Sequence, residues 1–158
     1  MASPQVAMSS DDRVLERPIV AHSIRLVLEG DINPWMVGLA KRRYPNNFDF
    51  QAAELWMRNV VLKQPMVFLP IRTDHAFLVA LISLIPWTPA DPEASVVMVC
   101  ADDGCMWEAM TLLRESLAWA KRRKCVNWNV SSETAYDMAP LAQRLGAVVN
   151  PRYRVELQ

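Results

Sequence analysis

The sequence predicts one α/β or α+β domain with a mixed sheet, on three observations. Residues 66–71 and 76–85 are two apolar runs joined by Arg72-Thr73-Asp74-His75, the length and chemistry of a β-hairpin turn. Residues 95–125 read as a buried strand, a tight acidic turn at Asp102-Asp103-Gly104, and a long amphipathic helix. Helical patterns interrupt the strands singly and in pairs, which calls for helices packed on a sheet.

The remaining elements follow in order. Residues 1–17 are polar and aperiodic and read as a mobile arm, leaving 18–158 as a single domain. Residues 18–29 are rich in Ile, Val and Leu and read as a first strand closed by Gly30. Asp31 is expected to cap a short helix through Arg43, with Pro34 tolerated in its first turn. Pro45-Asn46-Asn47 breaks the chain. Across 50–63, Ala53, Trp56, Met57, Val60 and Val61 recur at helical spacing before Pro65. The run 76–85 is apolar on both faces, as in a central strand covered on each side. Residues 86–92 form a Pro-rich loop. Met106, Met110, Leu113, Leu117 and Ala120 make one core stripe on the long helix. Val126, Trp128 and Val130 alternate with polar residues in a strand over 126–131. Ser132 caps a last helix that Gly146 ends, and 147–157 is a terminal strand.

Composition narrows the class. The chain has 158 residues, 52% of them hydrophobic, and zero formal net charge, which describes a globular domain with a real core. Neutrality argues against broad electrostatic binding to nucleic acid or an anionic membrane. Cys100, Cys105 and Cys125 form no C-x-x-C pair, and only His22 and His75 could supplement them, so no metal is expected. Reduced thiols, no charged leader before an apolar core, and no apolar run long enough to span a bilayer lead to a cytoplasmic expectation.

From residue 22 onward the element order resembles the GNAT-type N-acetyltransferase superfamily. The local likeness lies in Leu112-Leu113-Arg114 through Cys125, which is similar to that family's long helix after the fourth strand. Val126-Asn127-Trp128-Asn129-Val130 is similar to its fifth strand, and Leu141-Ala142-Gln143-Arg144-Leu145-Gly146-Ala147 to its closing helix. Trp107-Glu108-Ala109 and Arg144-Leu145-Gly146-Ala147 also resemble small acetyltransferase-like proteins of tailed bacteriophages. The resemblance implies a mostly antiparallel central sheet flanked by about four helices. It further implies acetyl-CoA as cofactor, held against Val99, Cys100, Ala101, Gly104, Cys105, Met106, Trp107, Glu108 and Ala109.

Departures fall where that family does its chemistry. Registering the helix on Leu112-Leu113 puts Gly104 at the phosphate loop's Arg or Gln, Trp107 at its first Gly and Ala109 at its second. Only Ala109 matches. The first Gly lets the backbone approach the pyrophosphate, and an indole would stand in the way. The family's general-acid Tyr is replaced by Ala142.

Asp102 and Asp103 are candidate bases, with turn and cap formation as their structural alternative. Tyr136 and Tyr153 are candidate acids, with packing as theirs. Cys105, at a helix start, is a candidate low-pKa thiol. Glu108 suits the first helical turn as a dipole partner, His75 a solvated turn, and the runs Lys41-Arg42-Arg43 and Lys121-Arg122-Arg123-Lys124 suit helix C-termini. Two functional classes follow. One is an acyl-CoA-dependent N-acyltransferase acting on an amine. The other is a catalytically degenerate GNAT-fold binding protein, phage-encoded, that engages and modulates a host protein. A homodimer is compatible with either.

Overall fold

The computed structural model describes residues 23–43, 49–85, 88–130 and 143–146. The expected arm over 1–17 and most of the closing helix and terminal strand lie outside these residues. Among the described residues, five strands form one sheet in the order β1-β2-β3-β4-β5. They are β1 (Arg25–Leu26), β2 (Phe68–Arg72), β3 (Ala76–Ile85), β4 (Thr88–Ala101) and β5 (Asn127–Val130). The first four pair antiparallel and β5 runs parallel to β4. The predicted mixed, mostly antiparallel sheet is present.

The first helical region is broken. α1 (Glu29–Asp31) leads through a wide turn at Ile32–Met36 into α2 (Val37–Arg43). Pro34 is not absorbed into a first turn as expected. Asn33, which precedes it, is held extended at φ −132° and ψ 126°, the conformation a following proline favours. Asp31 is not the cap either. It sits inside α1, and its carboxylate reaches back to accept the Leu28 N–H at 2.8 Å. Gly30 is helical, and among the described residues the first strand covers Arg25–Leu26. α3 (Phe50–Trp56) is capped by Asp49, which accepts the Ala52 N–H at 2.9 Å, and its helical path continues through Met57–Val61. α4 (Met106–Arg122) is the long helix.

Each face of the sheet has its own cover. Leu78, Ala80, Ala94, Val96, Val99 and Ala101 pack beneath α4, against Ala109, Met110, Leu112 and Leu113. Phe77, Val79 and Cys100 face the opposite way, onto Ile32, Met36, Leu39, Met57 and Val61. β3 alternates between the two faces residue by residue, which explains its unbroken apolar run. The Pro-rich stretch after residue 86 is not a loop throughout. β4 begins at Thr88 and keeps its prolines away from the centre of the sheet.

β4 alternates too, except at one point. Val79 opposes Met98, yet its neighbour Ala80 opposes Val96, so Val97 has no partner on β3. This is a β-bulge, and it exchanges the faces of everything that follows. Ala94 and Val96 face α4 before it, and Val99 and Ala101 face α4 after it. Among the described residues, β5 pairs with Glu93 to Val96, ahead of the bulge.

Asp31 ties the broken helix to the sheet. Its carboxylate takes two hydrogen bonds from Arg25, at 2.7 and 2.8 Å, and one from Arg72 at 2.9 Å. The Arg72 guanidinium stacks 3.4 Å from the centroid of the Trp35 ring, which meets Phe77 edge-on. The hydrogen bonds from Arg25, with help from the Leu28 N–H and the Arg72 charge, hold the Asp31 carboxyl well below the usual carboxylate range. A carboxyl with a depressed folded pKa stabilises fully above its unfolded value and loses that contribution as pH falls. Asp31→Asn is expected to cost about 2 kcal/mol at pH 7 in urea unfolding. The difference from the parent should shrink steadily below about pH 4.

Candidate active site

The site is built where β4 passes into α4. Asp102 to Cys105 is a β-turn, with the Cys105 N–H donating to the Asp102 carbonyl at 3.0 Å. Gly104 occupies its third position at φ +76°, a left-handed conformation that side chains resist. The space around its α-carbon is open on the side a Cβ would take. α4 then starts from Cys105, whose own side chain makes no capping hydrogen bond.

The acids of the turn are held from outside their own element. Arg42, from the end of α2, donates to Asp102 at 2.6 Å, and Arg43 donates to Asp103. The Arg43 Nε also donates to the Ala101 carbonyl at 2.9 Å, closing the end of β4. The basic run expected to do no more than complement a helix dipole therefore cancels the charge of the acidic turn. Each acid of the turn is thus paired with an arginine, while the buried Glu108 carboxylate lies beside Cys105.

A second fastening joins this turn to the β2–β3 turn. The Asp102 N–H donates to the His75 carbonyl at 2.9 Å, and the His75 N–H donates to Glu108 Oε1 at 3.0 Å. His75 itself is exposed, with Nδ1 3.8 Å from Asp102 Oδ2. Glu108, expected as a first-turn dipole partner, is fully buried beneath the hairpin turn. Sequence gave no sign of that burial. Cys105 departs from expectation as well. Burial pushes its thiol up, and the charges of Glu108, Asp102 and Asp103 add to the effect.

The other residues singled out are dispersed by direction. Val99 and Ala101 point under α4, and Cys100 points to the opposite face. Met106 and Trp107 are half-buried and Ala109 is fully buried. Tyr136, Tyr153 and Ala142 lie outside the described residues. The sequence reading missed the bulged Val97, which no Gly or Pro marks, and missed the pairing of Arg42 and Arg43 with the turn.

This geometry suits a pyrophosphate-bearing cofactor held mainly by backbone. β4 runs on past the Val97 bulge, the turn bends on a glycine, and the start of α4 follows. Arg42 and Arg43 offset the acids that would repel a phosphate. Trp107, half-buried, follows in the first turn of α4.

No protein-family model matches the sequence, and no curated protein matches it. Solved structures do match. Glucosamine-6-phosphate N-acetyltransferase from Arabidopsis thaliana superposes with a TM-score of 0.69 at 9% identity, over 86% of this chain and 97% of that one. The aminoglycoside 6'-N-acetyltransferase AAC(6')-IG from Acinetobacter haemolyticus gives 0.62 at 17% identity, over 86% and 97%. A GNAT family acetyltransferase from Staphylococcus aureus gives 0.62 at 10% identity, over 87% and 98%. At such identities the likeness establishes the fold, which is that of the GNAT acetyltransferases.

Two outcomes check the turn. Arg42 and Asp102 are both substantially exposed, so a double-mutant cycle to alanine should return a coupling of about 0.5 kcal/mol, falling with added salt. Cys105 should be alkylated by iodoacetamide roughly tenfold more slowly than a free cysteine at pH 7.5, measured in a Cys125→Ser background. Faster alkylation than free cysteine would mean the helix start governs the thiol after all.

Proposed function

We propose that this protein is an acyl-CoA-dependent N-acyltransferase that uses acetyl-CoA and an amine acceptor. The observation that carries this reading is the Val97 bulge, past which β4 runs to the Gly104 turn and the start of α4. Such a path lays peptide N–H groups along one line, suited to an extended ligand with a carbonyl at one end and phosphates at the other.

An acyl-CoA supplies an activated thioester carbonyl when bound. The strand N–H groups near Val99 and Cys100 are assigned to the carbonyl oxygen as charge builds on it. The segment from Gly104 to Ala109 is assigned to the pyrophosphate, with Arg42 and Arg43 neutralising Asp102 and Asp103 there. As the new N–C bond forms and the C–S bond breaks, the amine gives up a proton to a base reached directly or through water. Asp102 and Asp103, already engaged by arginines, are assigned to holding the turn. Tyr136 and Tyr153 are retained as candidate proton donors to the leaving sulfur.

Trp107 favours a second reading. A GNAT-fold protein whose indole plugs the phosphate site would act as a binding module on another protein, a host protein if the chain is phage-encoded. Thermal unfolding with and without millimolar acetyl-CoA separates the two, in the parent and in Trp107→Gly. Ligand at a hundred times its dissociation constant should stabilise the parent by about 2.7 kcal/mol, a rise of several degrees. A rise seen only in Trp107→Gly supports the plug. No rise in either protein would contradict the acyltransferase reading.

A further inference from the structure

Two exposed side chains flank the carboxylate that opens the cofactor turn. Arg42 donates to Asp102 Oδ1 at 2.6 Å, and His75 Nδ1 lies 3.8 Å from Asp102 Oδ2. The Arg42 side chain is 59% exposed, and its other N–H groups make no hydrogen bond among the described residues. The His75 side chain is 55% exposed and is held in place through its backbone, which donates to Glu108 and accepts from Asp102. The Asp102 carbonyl takes the Cys105 N–H, so both side chains stand beside the segment assigned to the pyrophosphate.

The charges around this carboxylate do not balance. Arg42 and Arg43 of α2 answer Asp102 and Asp103. From β1, α1, β2 and the hairpin turn come Arg25, Asp31, Arg72 and Asp74, which offset one another. That leaves Glu108 of α4, fully buried with its carboxylate on the His75 N–H. Cys105 adds no charge near neutral pH, because burial and the neighbouring acids push its thiol up. Lys41, next to Arg42 on α2, sits over the Phe50 ring instead. The turn therefore holds one more acid than base while His75 is neutral, and a pyrophosphate brings further negative charge to that surplus. Histidine is the side chain that gains a proton near neutral pH, and His75 is the histidine of this set. A proton there brings the set to balance.

We infer that Arg42 and His75 meet the pyrophosphate of the acyl-CoA, and that its binding draws a proton onto the His75 imidazole. The inference rests on the acyltransferase reading and deepens it. Asp102 is the positioning residue, holding the guanidinium on one oxygen and drawing the imidazolium to the other. Arg42 offers its remaining N–H groups to a phosphate, a contact that its planar fork suits. The imidazolium donates from Nε2.

The test is calorimetric titration with dephospho-coenzyme A and with acetyl-CoA. The first keeps the pyrophosphate but lacks the 3'-phosphate, a monoester that itself titrates at about pH 6. Titrations in HEPES and in Tris, whose heats of ionisation differ, give the number of protons exchanged. At pH 7.5 the parent should take up roughly one half to one proton per dephospho-coenzyme A, with Kd rising up to about tenfold per pH unit above that. His75→Gln, which keeps both backbone hydrogen bonds, should take up none and hold a flat Kd over the same range. Asp102→Asn removes one acid and should bind with less proton uptake. Saturable binding with no uptake by the parent, or uptake undiminished in either variant that folds, overturns the inference. Binding of acetyl-CoA alone puts the charge contact at the 3'-phosphate and overturns it too. No saturable binding of either probe overturns the acyltransferase reading, and this inference falls with it.

Discussion

One extra residue, Val97, organises the functional half of this fold. Without the bulge, β4 would carry a single alternation from Ala94 to Ala101, and Met98 would point under α4. With it, the alternation is reset. Val99 and Ala101 complete the core beneath α4, and Met98 and Cys100 line the opposite face. The packing of both faces of the sheet and the approach of β4 to the Asp102–Cys105 turn therefore depend on one backbone irregularity.

Charge balance is the second constraint. A turn bearing Asp102 and Asp103 at the start of a helix would repel phosphate if nothing else approached it. Arg42 and Arg43 approach from sixty residues away, brought there because α2 ends over the end of β4. That placement depends in turn on the Asp31–Arg25–Arg72 cluster, which fixes the broken helix to β2. Surface ion pairs of this kind add little stability. Their effect here is local, setting the potential at one turn.

The parts of this arrangement that were legible in the sequence are those with a periodic signal. The hairpin over β2 and β3, the doubly covered β3, the long α4 and its stripe through Met110, Leu113 and Ala120 all follow from spacing of apolar residues. Local chemistry misled where tertiary contacts overrode it. Asp31 has the chemistry of a helix cap, but two arginines draw it into α1's interior role. Pro34 passes as a first-turn residue until the extended Asn33 before it breaks the helix. Cys105 has the position of an activated thiol, and burial beside acids reverses the shift. The bulge and the long-range pairing of Arg42 and Arg43 have no local signature at all, because each depends on which strand or turn lies opposite.

The most direct measurement is an amide-resolved NMR titration of the parent protein with acetyl-CoA, following the backbone N–H signals of Val97 through Ala109. Saturable shifts concentrated at Val99, Cys100 and Gly104 to Ala109, with those of β1 and α3 unmoved, are expected if β4 past the bulge and the start of α4 form one cofactor path. Shifts that never saturate, or that saturate elsewhere on the molecule, would contradict it.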